Sequence, residues 1–241
     1  MLPRGFSPLA VEHLLTERIE SAHPFIGWIA TQLRKISRVM MIPWVDKAVA
    51  AIAVLPFAYP IAHHFRTFGF NVPDVVYVIQ TGLLVGTMVF RNPPVRVTSN
   101  PIFWGLAFIA TYWGFLAIIL EDRGQRVAPV WFLDSITILT LAGIIWARFS
   151  LGRNIGFVPA QREIVTAGAY RFVRHPIYAV IFVSILGAIL ERWSLRNVVV
   201  LGGGIALFSV KSFIEEGLLR KDPRYAAYMM RVPYRFIPGI V

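Results

Sequence analysis

The stretch PIFWGLAFIATYWGFLAIIL, residues 101–120, carries no charged side chain along its whole length. A helix needs about 20 mainly apolar residues to cross the roughly 30 Å hydrocarbon core of a bilayer. The stretch therefore predicts a membrane-spanning helix. It also sets the class of fold, because a bilayer core admits only structures that satisfy their own backbone hydrogen bonds.

Further apolar segments flank this stretch on both sides. The segment that begins at Pro176 is short, and a tight polar turn joins it to the last one. We therefore expect an all-α, polytopic membrane bundle of six hydrophobic segments, whose last two form a short helical hairpin. Pro56 and Pro60 predict a kink in the first segment, and the glycines at 202–204 would let the hairpin helices approach closely. The flanking segments cover roughly residues 45–65, 73–91, 129–149, 176–191 and 196–214.

The composition agrees with a membrane protein. The chain has 241 residues, of which 56% are hydrophobic and 15% charged, and its mean hydropathy is +0.62. Soluble domains carry roughly 25% charged residues, and a soluble chain of this length could not hide so much apolar surface. We therefore expect one integral membrane domain over residues 1–241. The net charge of +11 favours contact with anionic lipid headgroups over nucleic acid.

The distribution of the 24 Lys and Arg residues predicts the topology. Most of them fall in the N-terminal arm, in the loops that follow segments two and four, and in the C-terminal tail. With six spans these four regions share one side, and basic residues collect on the cytoplasmic side. We therefore expect both termini to be cytoplasmic, with the bacterial inner membrane as the location. Residues 150–175 and 211–241 would then meet at one face.

The N-terminal arm, residues 1–44, interleaves apolar and charged residues and predicts an amphipathic helix that does not span the membrane. Pro24 is expected to break or kink this helix. The arm could lie on the membrane surface or pack on the bundle, and the sequence favours neither arrangement.

Several kinds of chemistry are excluded by the residue types present. The chain has no cysteine, which excludes disulfides, cysteine-ligated metals and a thiol nucleophile. His63 and His64 are adjacent, so they face different sides of a helix and make a poor metal pair. No HExxH, P-loop or Ser-His-Asp pattern is present, and we expect no metal.

Two polar groups of residues are candidates for a site. Pro176 suits the first position of a helix, which leaves His175 at the N-cap and Tyr178 one turn inside. The free amides of such a helix start favour anionic or carbonyl groups. The other candidate is the pair Glu215 and Glu216, since adjacent carboxylates at a membrane boundary need partners. The alternatives are interface anchors for the first group and solvated charges for the second.

Taken together, these features resemble the family of isoprenylcysteine carboxyl methyltransferases and phospholipid methyltransferases, which are integral membrane enzymes that use S-adenosylmethionine. The resemblance covers about residues 150–241. Its most specific part is an Arg-His-Pro-x-Tyr block followed by paired glutamates. The stretches that carry it are Gly152–Asn154, Ile164–Val165, Gly168–Tyr178, Glu215–Glu216 and the Tyr-xx-Tyr-xx-Arg-Val-Pro tail of residues 225–233.

The resemblance implies that residues 150–241 form a cofactor-binding region at the cytosolic face. The helix start and the arginines before it would suit the methionine carboxylate of the cofactor. Lys211 stands where the family has an arginine, and because lysine is a weaker bidentate partner, a carboxylate substrate is less expected. The implied substrate contacts are Lys211, Arg174 and Arg231. The implied cofactor contacts are Gln161, Ile164, Val165, Tyr170, His175, Pro176, Ile177, Tyr178 and either Glu215 or Glu216.

Methyl transfer from a sulfonium needs little acid–base help, so we expect no essential catalytic nucleophile. The expected acceptor is a lipophilic or amphiphilic molecule that arrives from the bilayer. Two other functions stay open. The tail Val232–Pro238 also resembles membrane sterol and polyprenol reductases, which use NADPH, although the paired glutamates favour the methyltransferase. The third possibility is a non-enzymatic membrane scaffold on the same fold.

Overall fold

The computed structural model describes residues 24–67, 72–120 and 122–240. These ranges are mostly helical. They include one antiparallel pair of short strands, β1 (Arg96–Val97) and β2 (Ala160–Gln161). The helices are α1 (Pro24–Val39), α2 (Pro43–Thr67), α3 (Val72–Val89), α4 (Pro101–Leu120), α5 (Val130–Leu151), α6 (Pro176–Glu191), α7 (Leu195–Leu219) and α8 (Pro223–Arg231).

All six predicted apolar segments are helical, which confirms the all-α bundle. They correspond in order to α2 through α7, and α2 continues through Pro56 and Pro60 as one uninterrupted helix.

The residues at the starts of α6 and α7 are typical of helix N-termini. Ser194 Oγ accepts a hydrogen bond from Asn197 N at 3.0 Å and so caps α7, while Pro176 occupies the first turn of α6.

Some of the described helices are long and apolar enough to cross a membrane. By length and composition these are α5 and α7. A third, broken span could combine Gly27–Val39 with Pro43–Phe57, and the chain bends by 115° at the break between these two helices. Shorter apolar stretches occur at Val78–Val89, Pro101–Ala117 and Pro176–Glu191. These helices point to an integral membrane protein. The number of six spans and the cytoplasmic termini stay predictions.

Helix α1 is the described part of the predicted N-terminal arm, and residues 1–23 lie outside the described residues. It contacts α4 and β1, and its Leu33 packs against a buried cluster that contains Met40 and Trp104. Phe25 and Trp28 are exposed on the same helix. The described part of the arm therefore packs on the bundle with one side and presents apolar side chains on another.

Helices α6 and α7 pack against each other as the predicted hairpin. The glycines of α7 act differently from what the sequence suggested. A Cβ at Gly203 or Gly204 would lie 3.0 Å from the ring of Trp113 on α4, and Trp113 Nε1 donates to Val200 O at 2.8 Å. Gly203 and Gly204 therefore make room mainly for the ring of Trp113 on α4, and not for the backbone of α6.

The loop between α5 and α6 ends in a tight turn that positions the start of α6. Gly168 has a φ of 60°, and a Cβ there would collide with Ser150. The Oγ of Ser150 accepts a hydrogen bond from Ala169 N at 3.0 Å. The 3₁₀ helix Gly168–Arg171 follows and directs the chain towards α6. Glycine is needed here because both the backbone angle and the close side chain exclude a Cβ.

Two polar stretches that are far apart in sequence meet at one end of the bundle, as the charge distribution predicted. The loop before α6 lies against the end of α7, helix α8 and the C-terminal tail. The hydrogen bonds between them include Arg174 N to Tyr234 O at 3.0 Å, His175 N to Arg235 O at 2.9 Å, Tyr228 Oη to Tyr170 O at 2.7 Å, and Gln161 Nε2 to Asp222 Oδ2 at 2.8 Å.

Candidate functional site

A cavity of about 380 Å³ lies where these two stretches meet. Its volume falls in the range of roughly 300–1,000 Å³ that is typical of small-molecule sites. Its walls come from α2 through α8 and from the loop before α6. Apolar side chains such as Leu84, Phe157 and Phe208 form much of the lining, and charged groups enter at a few points. A largely apolar cavity with a few polar groups suits an organic ligand with a charged part.

Glu216 of α7 lies in a buried ion network beside this cavity, with its side chain 1% exposed. Arg174 Nε donates to Glu216 Oε1 at 2.8 Å, and Arg235 Nη2 donates to Oε2 at 2.7 Å. His175 Nε2 lies 3.1 Å from Oε1. Arg174 also donates to the backbone carbonyls of residues 232–233. Glu216 therefore joins the start of α6 to the C-terminal tail.

Glu215 has a different environment, because its side chain lines the cavity. Tyr178 Oη donates to Glu215 Oε1 at 2.7 Å. The Tyr178 ring stacks on His175 with 5.3 Å between ring centroids, and His175 Nδ1 lies 3.8 Å from Glu215 Oε2. The sequence left the choice between the two glutamates open. The structure places Glu215 at the cavity and Glu216 in the ion network.

Lys211 places a buried ammonium group on the wall, one turn of α7 before Glu215. Its Nζ donates to Thr111 Oγ1 of α4 at 3.0 Å. The same atom lies 5.9 Å from the ring centroids of Tyr178 and Phe208. Aromatic faces attract a cation at this distance. The ammonium is thus positioned by one hydroxyl and two rings beside the cavity.

The loop before α6 and helix α8 contribute an apolar and aromatic part of the cavity wall. Ile164 packs against a buried cluster that contains Tyr225 and Tyr228. Burial raises the pKa of the phenols of Tyr170 and Tyr228 far above the ordinary value. Both phenols are therefore neutral at physiological pH. This part of the wall offers flat apolar surface, while Arg162, Glu163 and Arg174 of the same loop add charged groups to the lining.

The structure brings most of the predicted site residues together, while their roles in binding stay predictions. Four predicted residues do not line the cavity. Gln161 bonds to Asp222, Pro176 is buried in the first turn of α6, Glu216 is in the ion network, and Arg231 is exposed. The predicted residues that line it are Ile164, Val165, Tyr170, Arg174, His175, Ile177, Tyr178, Lys211 and Glu215.

Two arginines on the cavity wall were not identified from the sequence. Arg148 lies in the last turn of α5, and an ionisable residue near the end of an apolar segment is itself a signal for a site. Arg162 lies just after β2, where its Nη2 is 3.3 Å from Asp46 Oδ1. No local pattern could have revealed that contact, because Asp46 lies on α2.

Residues 134–224 match the family model described as phospholipid methyltransferase. The match runs from α5 to the first turn of α8 and includes the loop before α6 and both hairpin helices. It confirms the resemblance seen in the sequence and supports methyl transfer to a lipid-type substrate. By class, the chain is a helical membrane-type protein with a segment that is similar to phospholipid methyltransferases. No curated protein matches the chain at a significant level.

Methyltransferases of this kind generally use S-adenosylmethionine, and the residues present fit that molecule. Its adenosine part needs apolar walls, which the loop before α6 and α8 provide. Its amino group and ribose hydroxyls need an acceptor, and Glu215 is a carboxylate on the cavity wall. Arg148, which lines the cavity, also has a buried Nε without a hydrogen-bond partner. The wall therefore offers both a negative and a positive partner for a zwitterionic ligand.

Proposed function

We propose that this protein binds S-adenosylmethionine in the cavity and transfers its methyl group to a lipophilic or amphiphilic acceptor at the membrane face. One observation carries the proposal. The charged and aromatic residues around Glu215, including Tyr178 and His175, border a single cavity and all lie within the residues that match phospholipid methyltransferases. The family match and the cavity chemistry thus support the same reaction.

The residues of the cavity would bind, orient and desolvate the reactants. When bound, the cofactor supplies an electrophilic methyl group. Glu215 accepts hydrogen bonds from its amino group or ribose hydroxyls, and Tyr178 holds that carboxylate in place by donating to Oε1. The apolar wall excludes water, which strengthens these electrostatic contacts. Alignment of the two reactants supplies much of the rate enhancement in such a transfer.

The acceptor would occupy the part of the cavity that α2, α3 and α4 line. Phe57, Leu84 and Thr111 come from these helices, which lie outside the residues that match the family model. Apolar side chains there suit a hydrocarbon chain, and Lys211 suits a polar head that carries negative or partial negative charge. A lipophilic acceptor partitions into the bilayer and would enter between the helices.

Calorimetric titration of the detergent-purified protein tests the proposal. We expect S-adenosylhomocysteine, the demethylated product, to bind at one site, and NADPH not to bind. Because hydrogen bonds to a charged group contribute about 1.5–3 kcal/mol, Glu215→Gln should weaken binding roughly 10-fold or more. The matched control is Glu191→Gln, since Glu191 is exposed at the far end of α6.

The other outcomes identify the alternative functions. Binding of NADPH without S-adenosylhomocysteine would favour the membrane reductase. Binding of neither molecule would favour a scaffold on the same fold. If Glu215→Gln and Glu191→Gln bind the product equally well, the cofactor does not contact Glu215.

A further inference from the structure

Arg148 on α5 has an unusual position for a buried cation. It lines the cavity, and its Nε is buried without a hydrogen-bond partner. Its Nη1 makes a long hydrogen bond of 3.4 Å to Thr87 Oγ1. That hydroxyl is itself tied to the backbone of α3, since Thr87 Oγ1 donates to Leu83 O at 2.6 Å. The Arg148 guanidinium therefore has a buried donor, Nε, that no described group accepts.

The other cations on the cavity wall are engaged by protein groups. Arg174 donates to Glu216 and to the backbone of the tail. Arg162 donates to Asn92 O at 2.7 Å and lies in an ion pair with Asp46. Lys211 donates to Thr111, as described above. Among the described residues that line the cavity, Arg148 is thus the arginine with a buried donor that no described group accepts.

An unpartnered donor on a buried guanidinium calls for an acceptor, because desolvation of a charged group without a hydrogen bond is unfavourable. A guanidinium presents its N–H groups in a planar fork that matches a carboxylate. The arginines before α6, which the sequence suggested for the methionine carboxylate, do not meet this need. Arg174 is committed to Glu216, and Arg171 is exposed.

We infer that Arg148 binds the carboxylate of the methionine part of the cofactor. This inference rests on the proposed function and adds a binding residue to it. Arg148 precedes the Gly152–Asn154 loop and lies within the residues that match the family model. Lys211, by contrast, is bonded to Thr111 of α4, on the side of the cavity assigned to the acceptor. The two cations therefore serve different ligands, with the arginine selecting the cofactor and the lysine facing the acceptor.

Binding measurements with three ligands test this assignment in the intact, detergent-purified protein. The ligands are S-adenosylhomocysteine, its decarboxylated analogue, and 5′-methylthioadenosine, which lacks the amino-acid part. Charge-assisted pairs are the strong class of hydrogen bond, so Arg148→Gln should weaken S-adenosylhomocysteine binding roughly 10-fold to 100-fold. It should change binding of the other two ligands by less than about 2-fold, since neither carries the carboxylate.

Two further variants separate recognition from structure. Arg171→Gln removes an exposed arginine of the loop before α6 and should leave all three affinities unchanged. Arg148→Lys keeps the charge but loses the fork, and it should give an intermediate loss for S-adenosylhomocysteine alone. Thermal unfolding shows whether Arg148→Gln is folded. If it is not, Arg148→Lys serves as the test variant in its place.

The possible outcomes are distinct. If Arg148→Gln weakens binding of all three ligands equally, or weakens binding of none of them, Arg148 does not bind the carboxylate, while the proposed function stands. If the unaltered protein binds none of the adenosine ligands, the proposed function fails, and this inference fails with it. Weaker binding of S-adenosylhomocysteine alone supports both the proposed function and the role of Arg148.

Discussion

At the scale of single residues, two adjacent glutamates have separate tasks because a helix turns by about 100° per residue. Glu216 faces the start of α6 and the tail, where Arg174, Arg235 and His175 surround it. Glu215 faces the cavity and meets Tyr178. Removal of a charge that is buried among several partners leaves those partners uncompensated, whereas a charge on a cavity wall is available to a ligand.

The ion network predicts a large effect for Glu216→Gln. Removal of one member of a buried ion pair leaves uncompensated charge and costs about 3–5 kcal/mol. We expect the free energy of unfolding in detergent to fall by about that amount, with a lower unfolding temperature. Glu191→Gln should stay within about 0.5 kcal/mol, as exposed substitutions do. Equal unfolding temperatures for the two variants would show that the network does not stabilise the fold.

At the scale of elements, one aspartate connects β2 to the start of α8. Asp222 Oδ1 accepts a hydrogen bond from Arg224 N at 2.9 Å, which caps α8. Its Oδ2 accepts one from Gln161 Nε2 of β2 at 2.8 Å. The Arg224 side chain also donates to this carboxylate. Asp222 therefore connects the start of α8 to the loop before α6, in addition to the hydrogen bond from Tyr228 Oη to Tyr170 O.

These hydrogen bonds make stability depend on pH. The bonds from Arg224 lower the pKa of Asp222 from 3.8 to about 2. A carboxyl whose pKa is lower in the folded state stabilises the fold above its unfolded pKa, and that stabilisation is lost as the pH falls through the folded pKa. We expect the unfolding temperature to decrease between about pH 4 and pH 2 for this reason.

Asp222→Asn isolates this contribution, because asparagine also caps helices but does not titrate. In the variant the part of the pH dependence between pH 4 and pH 2 that belongs to Asp222 should disappear, while α8 remains folded. The measurement is the unfolding temperature of both proteins across that range. Parallel pH profiles for the two proteins would contradict the assignment.

At the scale of the whole molecule, the site depends on helices outside the residues that match the family. Asp46 of α2 is fully buried. Arg91, after α3, donates to both of its carboxylate oxygens at 2.6 and 2.8 Å, and Arg162 approaches from the loop after β2. Burial and the nearby Arg91 charge lower the pKa of Arg162 to about 10, and Asp46 opposes that shift. One carboxylate thus joins three parts of the fold and holds a cavity-lining arginine.

This arrangement predicts that Asp46→Asn destabilises the whole protein. Two buried arginines would lose their counter-charge, and breaking such a cluster costs about 3–5 kcal/mol. Lys47→Gln, at the neighbouring exposed position, should change stability little. Thermal unfolding in detergent measures both. If Asp46→Asn unfolds at the same temperature as Lys47→Gln, the cluster does not stabilise the fold.

The sequence alone determined the apolar helices α2 through α7, since a long apolar segment indicates a buried or membrane helix without reference to the rest of the chain. It did not predict α8, whose stretch is polar and flanked by prolines. The sequence also identified the residues near Glu215 through a local motif. Only the tertiary structure decided which glutamate faces the cavity and which arginine keeps an unused donor. Those properties depend on helix rotation and on contacts between distant residues, such as Asp46 and Arg162, which are 116 positions apart. No local pattern encodes such a contact, because it exists only once the helices have packed.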